Sequence, residues 1–138
     1  MKTTTRSRLP ALVIRQEDHA RLMDLAVAAL ERMPGVAEEL LNELERAKVV
    51  RPEKIPAASV QMGSTVTYKA DAASRTVTLV WPEDADIAAG RVSVMTPVGA
   101  ALIGLSEGQS IRWTARDGRV HEMTIERVHP PGAAQPAA

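Results

Sequence analysis

The amino-acid sequence predicts an α+β protein in which a helical hairpin precedes an antiparallel sheet. Before residue 51, apolar residues recur at three- and four-residue intervals, which is the spacing of one helix face. After the prolines at positions 52 and 56, apolar residues alternate with polar ones, as they do in half-buried strands. A change of period at a proline-rich joint is typical of two units with different secondary structure.

The same features divide the 138 residues into successive parts. We expect a disordered basic arm over residues 1–10 and a helical hairpin over residues 11–51. A linker over residues 52–56 leads into a sheet domain over residues 57–130, and residues 131–138 form a disordered tail.

Two apolar stripes predict the hairpin. The first is formed by Leu22, Leu25, Ala26, Ala29, Leu30 and Met33. The second is formed by Val36, Leu40, Leu41, Leu44 and Ala47. Asp18 is placed to cap the first helix, and Pro34-Gly35 is placed to end it. The short connection predicts an antiparallel hairpin, a short coiled coil roughly 20 Å long.

Charged residues mark the ends of the second helix. Glu38 and Glu39 are expected in its first turn, and Arg46 and Lys48 in its last, where each sign complements the helix dipole. The expected tip of the hairpin consists of Met33, Pro34, Gly35 and Val36, and this turn carries no carboxylate.

Alternating residues predict the strands of the second unit. One strand is indicated by Val60, Met62, Val66 and Tyr68, with Gly63 at a possible bulge. Another is indicated by Val77, Leu79 and Trp81. Asp117-Gly118 predicts a two-residue hairpin turn, joining a strand at residues 111–115 to one that runs through Val120, Met123, Ile125 and Val128.

A short helix is predicted to lie across this sheet. Thr96 is suited to the N-cap and Pro97 to the first helical position, where the missing N–H costs nothing. Gly104 is suited to the left-handed residue that ends the helix. Small residues between these positions allow close packing on the sheet.

The composition excludes several classes of protein. There are 17 basic and 17 acidic residues, so no overall basic field favours non-specific nucleic-acid binding. The absence of cysteine excludes disulfides and thiolate chemistry. No window reaches the roughly 18 apolar residues of a membrane span, and the apolar run over residues 11–14 is too short for the core of a secretory signal. We therefore expect a cytoplasmic protein without a membrane partner.

No sequence motif for catalysis is present. The three histidines, His19, His121 and His129, are far apart and have no metal-ligand spacing. The sequence contains neither a nucleophile elbow nor a glycine-rich phosphate loop. We expect no catalytic residue, no bound metal and no cofactor.

One segment carries a family resemblance. VMTPVGAALIGLSEGQSI, residues 94–111, resembles the C-terminal domain of the Gre transcript-cleavage factors, and more closely their relatives, the regulators of nucleoside diphosphate kinase. The shared pattern comprises Thr96, Pro97, Val98, Gly99, Ala101, Leu102, Ile103, Gly104 and Gly108. The resemblance extends to VWPEDAD at residues 80–86 and to the hairpin, and so covers roughly residues 11–130.

The resemblance implies an FKBP-like sheet domain and docking at the secondary-channel rim of RNA polymerase, in competition with Gre-type factors. It implies that Thr96, Pro97, Val98 and Ala100 contact the polymerase, although Ala100 stands where Gre factors often have a basic residue. It also implies an effect on nucleoside diphosphate kinase levels. Sequence-specific nucleic-acid binding is not expected.

Gre factors hold Mg²⁺ at an acidic finger tip, and here the prediction departs from them. The resemblance implies polymerase binding, and a short finger whose turn lacks carboxylates predicts that this binding occurs without transcript cleavage, because Mg²⁺ needs clustered anionic oxygens. The alternatives are cleavage through Glu38 or Glu39 and Mg²⁺, and direct contact with nucleoside diphosphate kinase.

Two further features have simpler interpretations. The acidic run of Glu83, Asp84 and Asp86 is expected to form a solvated loop, with contact to a basic rim as the second interpretation. An FKBP-like fold raises prolyl isomerase activity, but two Trp and one Tyr are too few for the aromatic pocket of those enzymes.

Overall fold

The computed structural model describes residues 11–114 and 117–131, without the side chains of residues 113 and 114. The fold is α+β, as predicted. The described helices are α1 (Gln16–Ala28), α2 (Pro34–Arg46) and α3 (Pro97–Leu102). The strands are β1 (Val13–Arg15), β2 (Lys48–Val50), β3 (Thr65–Ala70), β4 (Ala73–Val80), β5 (Arg91–Ser93), β6 (Ser110–Thr114) and β7 (Val120–His129).

The described strands form two sheets. The larger sheet has the order β5-β4-β3-β7-β6, antiparallel except for the parallel pair of β4 and β5. A smaller parallel pair joins β1 to β2 at the base of the hairpin. The sequence did not predict β1, β2 or β5, since three-residue strands are too short to show a period.

The predicted hairpin is present, and its helices pack against each other. Its helical boundaries differ from those predicted. Helix α1 ends at Ala28, and Pro34 begins α2 rather than ending α1. Glu38 and Glu39 consequently lie beyond the first turn of α2. Asp18 does not cap α1, because the N-cap is Arg15 and the Asp18 carboxylate instead binds the Arg15 guanidinium at 2.8 Å.

A predicted bulge and a predicted turn also differ from the structure. Gly63, with φ of 92°, lies in a turn before β3 instead of within a strand. Thr114 pairs with Val120, so the connection between β6 and β7 is longer than the two-residue turn predicted at Asp117-Gly118. The two-residue turn occurs elsewhere, at Asp71-Ala72 between β3 and β4, where both residues have positive φ.

One continuous core joins the hairpin to the sheet domain. Leu22, Leu40 and Leu44 of the hairpin belong to the same buried cluster as Leu102 and Ile125. Helix α3 provides the link, since it packs on α2 and on β6. The base of the hairpin therefore packs against the sheet domain.

The ends of the chain are only partly described. The predicted arm over residues 1–10 and the tail beyond Pro131 lie outside the described residues. Two prolines of the predicted linker are described: Pro52 begins a 3-10 turn at Pro52–Lys54, and Pro56 follows it. No helix of the described part is both long and apolar enough to cross a membrane.

Candidate functional site

The start of α3 is fixed by a short network of hydrogen bonds. The Thr96 hydroxyl accepts a hydrogen bond from the Gly99 N–H at 3.1 Å, which is the predicted N-cap. The same hydroxyl donates to the Ser93 carbonyl at 2.7 Å, and the Ser93 hydroxyl accepts from the Met95 N–H at 2.9 Å. Side-chain hydrogen bonds therefore join residues 93–99 to one another, in addition to the backbone hydrogen bonds.

Thr96, Pro97 and Val98 are half-buried and reach the surface side by side; we call them the α3 edge. The Thr96 hydroxyl is occupied within the chain, so the edge presents mainly the proline ring and methyl groups. Ala100 is fully buried, because it lies on the inner side of α3. The expectation that Ala100 presents contact atoms is therefore wrong for this structure.

Gly99 allows α3 to cross the end of β5 closely. A Cβ atom at this position would lie 2.2 Å from the Ser93 carbonyl oxygen and 2.9 Å from the Val94 Cα. Both neighbours are backbone atoms, so neither rotates out of the way. Only glycine permits this approach, which places the α3 edge over the sheet.

The tip of the hairpin is formed mainly by the turn over residues 29–33. Of the predicted tip residues, Pro34 and Gly35 are exposed, while Met33 and Val36 are half-buried. Because α1 ends earlier than predicted, this turn also contains Glu31, which is exposed. The prediction of a turn without a carboxylate is therefore wrong, although Glu31 is followed at once by the exposed Arg32.

The other candidate carboxylates of the hairpin are Glu38 and Glu39, both exposed on α2. The pKa of Glu39 lies above its ordinary value because the surrounding protein partly desolvates it, with a smaller contribution from the charge of Glu43. Among residues 11–114 and 117–131, no three histidine or acidic side chains come together as metal ligands. The described carboxylates near the tip therefore form no group of three that could hold a metal ion.

The predicted acidic loop touches the hairpin. Glu83, Asp84 and Asp86 are all exposed, and Pro82–Asp84 forms a 3-10 turn. The Glu83 carboxylate binds the guanidinium of Arg21, from α1, at 2.8 Å. That guanidinium also lies 3.9 Å from the centre of the Trp81 ring, a cation–π contact. The sequence predicts only a solvated loop here, because no local pattern indicates a partner 62 residues away in the chain.

Gln61 joins the base of the hairpin to the sheet domain. Its carboxamide nitrogen donates to the Val13 carbonyl at 2.8 Å, and its oxygen accepts from the Arg15 N–H at 3.2 Å. The side chain thus binds the backbone of β1 as a neighbouring strand would. The alternation of Val60 and Met62 predicts an outward Gln61, yet it is only 1% exposed. A polar residue gives no sequence signal of burial, so this contact was missed.

The three histidines have separate environments. His19 Nε2 lies 2.9 Å from the Leu44 carbonyl, and so joins α1 to the end of α2. His121 Nδ1, near the start of β7, lies 2.7 Å from a carboxylate oxygen of Asp71 in the turn between β3 and β4. His129 is at the end of β7, on the sheet face away from the helices. The structure does not bring these histidines together.

Tyr68 and Trp81, two of the three aromatic residues considered above for a prolyl isomerase pocket, lie in different environments. Tyr68 is buried in the core, where burial raises the pKa of its hydroxyl and the charge of Arg75 partly offsets that effect. Trp81 lies beneath Arg21 at the surface of the hairpin. The side chain of Trp113 lies outside the described part.

Comparison with known proteins covers both units of the fold. Residues 55–130 match the family described as "Transcription elongation factor, GreA/GreB, C-term", and residues 10–50 match "Rnk N-terminus". The regulator of nucleoside diphosphate kinase from Escherichia coli K12 is 36% identical over 129 residues, covering 91% of this chain and 94% of that protein. The elongation factor GreA of Rhodospirillum rubrum is 33% identical, covering 92% and 86%.

A solved structure agrees with these matches. The elongation factor GreA/GreB from Nitrosomonas europaea superposes with a TM-score of 0.69 at 38% identity, covering 87% of this chain and 98% of that one. The matched residues include the hairpin, the acidic loop and the α3 edge. The chain therefore belongs to the regulator of nucleoside diphosphate kinase family, in which an Rnk-type N-terminal region precedes a GreA/GreB C-terminal domain.

Proposed function

We propose that this protein is a transcription regulator that binds RNA polymerase at the rim of its secondary channel and does not stimulate transcript cleavage. The observation that carries the proposal is the half-buried α3 edge, which hydrogen bonds of Thr96 hold in place on a GreA/GreB C-terminal domain. In relatives of this chain, a domain of the same family belongs to proteins named transcription elongation factors.

The geometry of the α3 edge suits protein binding. Pro97 has a fixed φ and begins a helix whose cap is already satisfied, so a partner does not have to order it. Gly99 holds the edge against backbone atoms of residues 93 and 94. A stiff apolar edge of this kind loses little conformational entropy on association.

The hairpin supports a blocking role at the channel mouth. Each helix has 13 residues, which at 1.5 Å per residue gives a length of about 20 Å. The described carboxylates near the tip form no group of three that could hold a metal ion, which supports binding without stimulation of cleavage. On this proposal the protein competes with longer-fingered factors, and an effect on nucleoside diphosphate kinase levels follows from altered transcription.

Binding to purified core polymerase, measured by pull-down and by competition with a Gre factor, tests the docking site. We expect micromolar or tighter binding that Pro97→Ala weakens about tenfold, equivalent to about 1.4 kcal/mol. Pro52→Ala is the matched control, because Pro52 also begins a helical turn but is exposed in the linker. Absence of binding by the unmodified protein at micromolar concentration would rule the proposal out.

A backtracked elongation complex tests the lack of cleavage activity. We expect no stimulation of RNA shortening by the unmodified protein. Stimulation that is lost on Glu38→Ala and Glu39→Ala would instead establish the cleavage alternative. Direct contact with nucleoside diphosphate kinase, suggested only by the name of a relative, predicts a complex when the two proteins are sedimented together.

A further inference from the structure

The outward face of the large sheet is mostly polar. Buried side chains at Val66, Tyr68, Met123 and Ile125 point toward the helices, so their neighbours in β3 and β7 point away from them. We call this side the outer sheet face. Hydroxyl pairs span its strands, at 3.0 Å for Thr65–Thr78, 2.9 Å for Thr67–Thr76 and 2.7 Å for Ser110–Thr124.

A β-bulge lies at the centre of this face. Thr67 pairs with Arg127 whereas Tyr68 pairs with Ile125, so Glu126 is an extra residue in β7. As a result, Glu126 and Arg127 are both exposed. They line a shallow groove together with Thr67, Thr76 and His129. A bulge re-aims side chains, and here it places a guanidinium among hydroxyl groups.

The outer sheet face carries more positive than negative charge, although the chain as a whole is neutral. Its exposed charged residues are Lys69, Arg91, Arg112, Arg127, Glu122 and Glu126. Within the described part of the chain, none of the four cations is in an ion pair, and the Glu126 carboxylate accepts a hydrogen bond from the Ser74 hydroxyl. The face therefore offers cations free to meet an external anion.

These cations are spread over the face. From the register and the usual spacing of strands and residues, the backbone positions of Lys69 and Arg127 are about 8 Å apart, and those of Arg127 and Arg91 about 16 Å apart. A small anion requires groups that converge on one point. A spread of this size instead suits a polyanion whose charges are distributed along a chain.

We propose that the outer sheet face binds the phosphate backbone of a nucleic-acid strand, with Arg127 at the centre of the contact. Arginine, lysine and hydroxyl side chains are the groups that proteins use to contact phosphates. The outward positions named above carry one aromatic ring, the imidazole of His129, and no Phe, Tyr or Trp, so they offer no platform for stacking successive bases and the binding is largely independent of sequence. Helix α3 packs on the sheet from the opposite side, so a strand bound here leaves the α3 edge accessible.

Fluorescence anisotropy with a labelled single-stranded RNA, in the absence of polymerase, tests this inference separately from the proposed function. We expect dissociation constants of about 10⁻⁴ to 10⁻⁶ M at low salt, weakening steeply as salt is added. Arg127→Gln should weaken binding about three- to tenfold and reduce the salt slope by about 0.7. Glu126→Gln should strengthen binding, since it removes a negative charge from the same groove.

Arg75→Gln is the matched control. Arg75 is an exposed arginine on strand β4 of the same sheet, but it lies opposite the inward-facing Tyr68 and so belongs to the other face. This change should leave RNA binding unaltered. Equal effects of Arg75→Gln and Arg127→Gln, or no binding at low salt, would overturn the inference.

Competition experiments identify the anion. Inorganic phosphate and a nucleoside diphosphate should displace the RNA only through their ionic strength. Saturable displacement by either would show a small-molecule site instead of a backbone surface. Polyglutamate binding as tight as that of the RNA, with the same dependence on Arg127, would point to an acidic polypeptide and would also refute the inference.

Discussion

Replacement of Gly99 by alanine tests the close crossing of α3 over β5. In an ordinary helix, glycine to alanine increases the free energy of unfolding by about 1 kcal/mol. Here the added Cβ would lie 2.2 Å from the Ser93 carbonyl oxygen, whereas ordinary contact begins at 3.4 Å, so that oxygen must move by roughly 1.2 Å. The structure therefore predicts the opposite sign.

The cost follows from what the movement disturbs. The Ser93 carbonyl accepts hydrogen bonds from the Thr96 hydroxyl at 2.7 Å and from the Thr96 N–H at 3.2 Å. Overpacking a core contact costs about 1–3 kcal/mol, and weakening one such hydrogen bond adds about 1 kcal/mol. After subtracting the gain in helix propensity, we expect Gly99→Ala to lower the free energy of unfolding by about 1–3 kcal/mol.

Urea denaturation followed by circular dichroism measures this difference, and Gly35→Ala is the control. Gly35 is the second residue of α2, and a Cβ atom added there would meet no other part of the chain within 4 Å, so alanine should be neutral or stabilising by about 0.5 kcal/mol. If Gly99→Ala were as stable as the parent protein, the close approach of α3 to residues 93 and 94 would be refuted.

Three further substitutions test other parts of the structure by the same unfolding measurement. Ala72→Gly should stabilise the protein by about 1 kcal/mol, because Ala72 has φ of 71° in the β3–β4 turn; an unchanged or lower stability would contradict that backbone conformation. Gln61→Leu should cost about 3 kcal/mol, because it leaves backbone groups of β1 without partners, whereas Leu at the exposed Gln16 should be nearly neutral; equal effects would argue against the Gln61 contact. Glu39→Gln should stabilise the protein at pH 7 by less than about 1 kcal/mol after allowance for solvent screening, because the folded-state pKa of Glu39 is raised and its ionised form is disfavoured. That advantage should disappear as the pH falls below the ordinary value of 4.5, where Glu39 is protonated in both states, and an advantage that persists at low pH would exclude the ionisation of Glu39 as its cause.

The features that arise from local chemistry could be predicted from the sequence. The 3.6-residue period predicted two helices, the alternation through Val77 and Leu79 predicted a strand, and Thr96-Pro97 predicted a capped helix start. Gly104, with φ of 84°, occupies the left-handed position predicted for it. These features depend on neighbours within about four residues, so a short window of sequence contains their cause.

The way these elements meet depends on the three-dimensional packing of the chain and could not be predicted from local patterns. The binding of Arg21 to Glu83 and Trp81, the burial of Gln61 against β1 and the parallel pairing of β5 with β4 all join residues distant in sequence. The inward placement of Ala100 likewise follows from packing on both sides of α3. A polar or small residue has the same local pattern whether it is exposed or buried, because its partner is supplied by the fold and not by its neighbours in the chain.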